Sequence, residues 1–156
     1  MQVLNKFKKD FDIGFKDFVK SLDILPTQTT NDLIFNGLLE DPVYLKWALA
    51  NKLSFDYFFK LTNKEILKIF HYIPQADTVF LHALKNHPEE NNFINSHLPQ
   101  FIRRLYLMNR ENEKITVSMQ AQARITIIKS LYELMEEGTL DSIDWKLPSS
   151  DILMGM

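Results

Sequence analysis

The stretch LLEDPVYLKWALANKLSFDYFFKLTNKEILKIFHYIPQADTVFLHALKN, residues 38–86, decides the fold class because helix-start signals recur in it. Asp41-Pro42 is an N-cap followed by a proline at the first helical position. Thr62 to Glu65 is a capping box, in which the Thr oxygen accepts from the third backbone amide and the Glu carboxylate reaches back. Apolar residues follow at steps of three and four, at Ile66, Ile69, Phe70 and Ile73. The stretch therefore predicts a succession of short helices.

Helical spacing continues on both sides of this stretch. A first helix carries an apolar stripe made of Leu4, Phe7, Phe11, Phe15, Phe18 and Leu22. Gly14 should weaken that helix by about 1 kcal/mol relative to Ala. Ser118 is predicted to cap the longest helix, Met119 to Glu137, and Gly138 to be its left-handed C′ residue. No segment alternates with period two, so the chain is predicted to be all-α, with a tail that lacks fixed structure.

Composition narrows the class of protein further. The chain has 156 residues, a formal net charge of −2 and no cysteine, which excludes disulfides, thiolate metal sites and cysteine nucleophiles. The charge argues against a domain that binds nucleic acid through phosphates. No run approaches the ~20 apolar residues that span a bilayer, and the N-terminus lacks a signal-peptide pattern. We expect a cytoplasmic protein.

The residues that could act in catalysis or bind a metal do not have a spacing that would bring them together in one site. The histidines form no i, i+4 pair of the kind a zinc site on one helix needs, although His82 and His87 flank a helix end. Neighbouring acids at Glu89-Glu90 and Glu136-Glu137 do not face each other on a helix. Phosphate-binding glycine loops and nucleophile elbows are also missing from the sequence. The prediction is a protein that is not an enzyme and has no catalytic, cofactor or metal site.

The segment from Pro99 to Arg110 supplies the candidate contact face. Arg103, Leu107 and Arg110 recur at i, i+4 and i+7 and share one side of the helix, with Arg104 beside them. One interpretation is an ordinary amphipathic helix with a solvated basic edge. The other is a surface on which arginine and an apolar neighbour bind a partner protein.

The Phe stripe of the first helix has two interpretations as well. Aromatic side chains at helical spacing are typical of a helix that packs onto the rest of its own chain. The same stripe, if exposed, would dock another subunit or a partner helix, and self-association is a prediction of that interpretation.

Residues 31–141 resemble the C-terminal region of the flagellar motor switch protein FliG. In the family an Asp-Pro helix leads to a Met-Phe-x-Phe hinge, which aligns with Lys52 to Phe55. The family's Ala-Leu-Lys-Gly aligns with Ala83 to Asn86, where Asn86 replaces the glycine. The closing pattern follows without a gap at Val117-Ser118, Ala123, Ile127, Leu134 and Glu137-Gly138.

The resemblance implies an armadillo-like, right-handed helical array with a C-terminal helical bundle. On this basis we divide the chain into an N-terminal layer (1–51), a hinge segment (52–60) with Leu53 and Phe55 as hinge residues, a bundle (61–140) and a flexible tail (141–156). The resemblance also implies protein partners among motor or switch components, at the cytoplasmic face of the inner membrane.

The chain departs from the family where the stator is bound. The family's torque helix carries an acidic pair, and the aligned residues Leu107 to Asn109 contain no acid. The arginine near the start of that helix aligns with Gln100, and only the preceding lysine is kept, as Lys85. The arginines at 103, 104 and 110 would present the opposite sign of charge.

Three functional hypotheses follow. The first is a non-catalytic adaptor, a divergent paralogue in a flagellar or other motility-associated complex. The second is a regulatory or signalling module that uses the same helical array without a rotor role. The third, a nucleic-acid binder that reads through its last helix, is disfavoured because Arg124 and Lys129 stand there beside Glu133, Glu136 and Glu137.

Overall fold

The computed structural model describes residues 3–154, and every regular element in that range is helical. The all-α prediction is thereby confirmed for the described residues; residues 1–2 and 155–156 of the predicted first and last segments lie outside them. The α-helices are α1 (Asn5–Lys8), α2 (Phe11–Ile24), α3 (Thr27–Glu40), α4 (Pro42–Asn51), α5 (Asn63–Tyr72), α6 (Ala76–Leu84), α7 (Glu90–His97), α8 (Gln100–Arg110), α9 (Val117–Glu136) and α10 (Ser150–Met154), and a 3₁₀ helix spans Phe55–Lys60. Within residues 3–154, no helix is both long and apolar enough to cross a membrane.

The described chain forms two compact units. Unit 1 contains the described residues up to Leu53 and from Ile143 onward, and unit 2 is Ser54–Ser142. The boundary between Leu53 and Ser54 falls inside the segment 52–60 that the sequence predicts to be a hinge.

Unit 1 is built around α2, which packs against α1, α3, α4 and α10. Its core contains Phe15, Phe18, Val19, Tyr44 and Leu45. The Asp41 carboxylate caps α4 by accepting from the Tyr44 amide at 3.1 Å, and the Lys8 ammonium lies 2.8 Å from its other oxygen. The predicted Asp-Pro start signal is confirmed.

The predicted first helix is interrupted in the structure. It divides into α1 and α2 at Phe11, whose φ of 50° lies in the left-handed region and whose side chain is exposed. The short α1 then packs against α2, and a Cβ atom at Gly14 would lie 1.6 Å from the Phe7 carbonyl oxygen. Gly14 is required here for close approach of two backbones, which apolar periodicity alone does not reveal.

The C-terminal segment differs from the flexible tail that the sequence predicts. Asn51 binds the backbone of Lys146 on both sides, since its Nδ2 donates to the carbonyl at 2.8 Å and its Oδ1 accepts from the amide at 2.7 Å. Leu153 of α10 is buried in the core of unit 1, and Trp145 packs against that core. The anchor joins residues 95 positions apart, so a local pattern cannot predict it.

Unit 2 has an aromatic core. The ring of Phe58 lies 5.0 Å from that of Phe93 and 5.4 Å from that of Phe80, between centroids. α9 packs against α6, α5 and the 3₁₀ helix.

The helix ends of unit 2 largely follow the sequence signals. The capping box of Thr62 and Glu65 is present, and Gly138 has a φ of 79°. The prediction of Ser118 as the cap of α9 is wrong, because the Thr116 hydroxyl accepts from the Met119 amide at 3.1 Å.

Tyr44 carries a buried hydroxyl that has no hydrogen-bond partner among the described residues. We expect Tyr44→Phe to leave stability unchanged or raise the free energy of unfolding by up to about 1 kcal/mol, because the lost hydroxyl had no partner to leave behind. Urea unfolding followed by tryptophan fluorescence measures this, since Trp47 and Trp145 both belong to unit 1.

The comparison variant is Tyr106→Phe in unit 2. The Tyr106 hydroxyl is also buried but donates to the Glu90 carboxylate, so its removal should cost about 1–3 kcal/mol in unfolding followed by far-ultraviolet circular dichroism. A loss of more than about 1 kcal/mol in Tyr44→Phe would show that the hydroxyl has a stabilising partner after all.

Candidate functional site

α8 presents an apolar face to solvent in unit 2. Ile102 and Tyr106 are the buried residues of this helix. Phe101, Leu105 and Met108, at i, i+4 and i+7, share another side of the helix, roughly a third of a turn from the buried residues, and 64% of Phe101 and 60% of Met108 are exposed. We call these three residues together with the exposed Arg104 the α8 surface.

Arg110 belongs to a different, internal network. Its guanidinium donates to the Glu90 carboxylate through Nε and Nη2, both at 3.0 Å, and to the Asn86 side-chain oxygen at 3.2 Å. The Tyr106 hydroxyl and the Asn86 amide also donate to Glu90, which is only 3% exposed. This network ties the start of α7 to the last turn of α8.

The pKa of Glu90 reflects this arrangement. Burial alone would raise the pKa of the carboxyl group, but hydrogen bonds from Arg110, Tyr106 and the Asn86 amide outweigh that effect and lower it below the usual value. Glu90 is therefore an ionised, hydrogen-bonded carboxylate at neutral pH.

Arg103 also has an internal role. Its Nη2 donates to the carbonyl oxygens of Asn95 and Leu98, each at 3.2 Å. These carbonyls belong to the end of α7, where a cation favourably meets the negative end of the helix dipole.

The four residues that the sequence predicts to form a contact face thus fall into two groups, one exposed and one internal. Arg104 and Leu107 lie at the surface, whereas Arg103 and Arg110 hold α7. Arg104 has no carboxylate within ion-pair distance among the residues that the structure describes. Phe101, Leu105 and Met108 adjoin Arg104 and lie on the side of the helix away from Arg103 and Arg110.

Phe101, Leu105 and Met108 were missed as candidate surface residues. The sequence does contain a signal for them, because α8 has apolar residues around most of its circumference. A single buried stripe accommodates only some of these residues, so others must be exposed. Sequence alone does not say which stripe faces the core. A cavity of about 350 Å³ lined by Gln100, Phe101 and Arg104 adjoins the surface at the start of the helix.

A larger cavity of about 510 Å³ lies beside the loop that joins α8 to α9. The Lys85 ammonium at its wall already donates to the carbonyl oxygens of Arg110 and Glu113, both at 2.9 Å. The Gln120 amide donates to the Lys85 carbonyl at 2.9 Å. These polar groups hydrogen-bond to one another and fix the loop. They are therefore not directed together at a position where a ligand could bind.

The histidines have separate surroundings. His82 contacts the carboxylate of Glu113, while the ring of His87 packs on Phe59 at 4.6 Å between centroids and its Nε2 lies 3.7 Å from an Asp56 oxygen. No group of three or more histidine, aspartate or glutamate residues that could hold a metal ion occurs within residues 3–154.

The predicted hinge residues lie on either side of the unit boundary. Leu53 is buried in unit 1, and its amide donates to the Asp23 carboxylate at 2.9 Å. Phe55 begins the 3₁₀ helix of unit 2, stacked on Phe58 at 5.5 Å and covered by the Arg124 guanidinium at 5.2 Å. Movement about these residues stays a prediction.

Comparison with protein-family models, with curated proteins and with solved structures finds no match for this chain.

Proposed function

We propose that this protein is a non-catalytic adaptor that binds a partner protein through the α8 surface. The partner is an acidic amphipathic helix, whose apolar side covers Phe101, Leu105 and Met108 and whose carboxylates pair with Arg104. The observation that carries this proposal is the exposed apolar face of α8 with an unpaired arginine beside it.

The energetics favour such a contact. Full burial of a Phe, Leu or Met side chain is worth about 1.5–3 kcal/mol, so covering three partly exposed ones can offset part of the cost of association. Arg104 adds selectivity more than affinity, because its charge repels basic helices and attracts acidic ones. Helix-in-groove recognition uses anchors at this same i, i+4, i+7 spacing.

The broader proposal is a FliG-like, armadillo-like array in a divergent paralogue of a motor switch component. Asn86 supports it, because its φ of 67° is of the kind glycine prefers, at the position where the family has glycine. Lys85 supports it too, since the retained lysine binds the backbone after α8. In this proposal the stator-type contact is replaced by one of opposite charge, through Arg104.

Leu105→Glu tests the α8 surface. A carboxylate there opposes an acidic partner and disrupts apolar contact, so we expect partner binding to weaken at least about tenfold while the helical circular dichroism stays unchanged. The measurement is affinity capture from the source cell with the full chain as bait, followed by titration of the captured partner.

Val117→Glu is the matched control, because Val117 is an exposed apolar residue of the same unit outside the α8 surface. The proposal requires a partner that Val117→Glu retains and Leu105→Glu loses, and whose cross-linked segment is an acidic amphipathic helix. Equal capture by both variants, or a basic cross-linked segment, would rule the α8 surface out. Motility proteins among the partners favour the rotor-related role, and signalling proteins favour the regulatory alternative.

A further inference from the structure

Two helices of the described chain, α3 and α8, each expose three or more large apolar side chains, and no other helix there exposes more than two. On α3 these are Phe35, Leu38 and Leu39, and 63% of Phe35 and 73% of Leu39 are accessible to solvent. Their positions at i, i+3 and i+4 place them side by side. The exposed Asp32 precedes Phe35 by three residues and Leu39 by seven, so it lies on the same side of the helix. We call these four residues the α3 surface.

The inner side of α3 is fixed, so the outer side cannot turn inward. Leu33 and Ile34 pack against the core of unit 1. Gly37 faces the side chain of Leu45. The exposure of the α3 surface is therefore a consequence of how the helix is anchored.

The charges of the two helices are opposite. α3 contains Asp32 and Glu40 and no lysine or arginine, whereas α8 contains three arginines and no acid. Asp32 accepts only from the uncharged side chain of Gln28, at 3.1 Å, so no cation among the described residues neutralises it. Arg104 likewise has no carboxylate within ion-pair distance in the described range. Each surface therefore combines an apolar stripe with one charged side chain that is open to an opposite charge.

The two surfaces fit each other better than either fits a copy of itself. Two α3 surfaces would bring Asp32 carboxylates together, and two α8 surfaces would bring Arg104 guanidinium groups together, so like charges oppose both pairings. The α3 surface against the α8 surface instead brings Asp32 to Arg104 while both apolar stripes are covered. The surfaces also match in length, because Asp32 to Leu39 and Phe101 to Met108 are each a step of seven residues, or about 10 Å along the helix axis.

We propose that the α8 surface of one copy of this chain binds the α3 surface of a second copy. This inference rests on the proposed function, because it names α3 of a second copy as an acidic amphipathic helix that the α8 surface takes. The contact joins two different surfaces, so each pair still has one free surface of each kind. Further copies therefore add head to tail, into a ring or an open chain.

Sedimentation equilibrium of the native full chain measures mass against concentration. We expect the mean mass to rise past that of a dimer, because the contact is head to tail. Asp32→Arg and Arg104→Asp should each raise the dissociation constant at least about tenfold, since like charges then face each other. Both reversals in one chain should restore assembly, because the charge pair is formed again with its signs exchanged.

Two variants that each block one surface test whether the contact joins different surfaces. Phe35→Ser/Leu39→Ser removes apolar contact from α3 and leaves α8 intact, and Leu105→Glu does the reverse. Each variant alone should stay monomeric, and an equimolar mixture should form a dimer and nothing larger, because each component supplies one intact surface. Val117→Ser is the control, since Val117 is exposed outside both surfaces and its variant should assemble like the native chain. All substituted positions are exposed, so circular dichroism should match that of the native chain.

Three results would each overturn this inference: a native chain that stays monomeric at millimolar concentration, a mixture of the two blocked variants that forms no dimer, or combined charge reversals that do not restore assembly. None of them decides the proposed function, which depends on whether Leu105→Glu retains the captured partner. Assembly that Leu105→Glu abolishes and Phe35→Ser/Leu39→Ser preserves would keep the α8 surface as a binding site and exclude α3 as its occupant.

Discussion

Replacing Gly14 by Ala is expected to destabilise unit 1 by about 3 kcal/mol, against the usual rule that Ala improves a helix. The added Cβ would lie 1.6 Å from the Phe7 carbonyl oxygen, a backbone atom that cannot yield without moving α1 away from α2. The Phe7 ring would move with it, and that ring lies 5.0 Å from Phe18 in the core. Urea unfolding followed by tryptophan fluorescence measures the effect, because Trp47 and Trp145 both report on unit 1.

Gly37→Ala is the control for this prediction. It makes the same chemical change in a helix of the same unit, but its Cβ would lie 3.4 Å from a Leu45 methyl group, which can shift. There the helix propensity should dominate, and we expect a neutral change or a gain of up to about 1 kcal/mol. If Gly14→Ala unfolds at the same urea concentration as Gly37→Ala, the close approach of α1 and α2 is not a stabilising feature of this chain.

Helix ends were the most predictable part of the fold, because their causes are local. Asp41 and Thr62 cap their helices as the sequence indicates, and Gly138 takes its left-handed conformation. Each of these features depends on a side chain and a backbone group only a few residues away. The all-α class followed from such signals together with the 3.6-residue period.

Features that depend on distant residues were not predictable. The break at Phe11 depends on the contact between Gly14 and Phe7 of the preceding helix, α1, and the fixed position of the C-terminal segment depends on Asn51. The periodicity gives a helix's apolar stripes but does not show which of two competing stripes meets the core. In α8 the sequence predicted Arg103 and Arg110 as part of the contact face. In the structure these two arginines make internal hydrogen bonds, and Phe101 and Leu105 are exposed instead.

Two arginines of α8 were predicted as contact residues and yet make internal hydrogen bonds, Arg110 in the Glu90 network and Arg103 with carbonyl oxygens at the end of α7. An arginine beside apolar neighbours looks alike in sequence whether it binds a partner or an internal carboxylate. The sequence pattern identified Glu90, which lies 20 residues from Arg110, only as an acid that does not face its neighbour Glu89. The hydrogen bonds of Glu90 with Arg110 and Tyr106 require α7 and α8 to be folded together. A single substitution at Glu90 tests both hydrogen bonds at once.

Glu90→Gln is expected to lower the free energy of unfolding of unit 2 by about 3 kcal/mol, because it leaves the Arg110 guanidinium without its buried counter-charge. Unfolding followed by circular dichroism gives the total, and amide hydrogen exchange locates the loss in α7 and α8. Glu89→Gln is the matched control, since Glu89 is the exposed neighbour of Glu90 and should change little.

The same substitution should remove part of the pH dependence of stability. The pKa of Glu90 is lowered in the folded protein from an ordinary value of 4.5, so between the two values the unfolded chain binds more protons and the free energy of unfolding rises with pH. The contribution is complete above pH 4.5 and is lost as the pH falls through the lowered pKa. The protection factors of the α7 and α8 amides, which correct for the pH dependence of intrinsic exchange, should therefore fall in acid for the native chain and for Glu89→Gln. In Glu90→Gln the protection factors should already be low at neutral pH and change less on acidification. If the α7 and α8 amides of the native chain stay equally protected from neutral pH down through pH 4.5 and below, the partners of Glu90 do not lower the pKa of its carboxyl group. The internal role of Arg110 would then lose its basis.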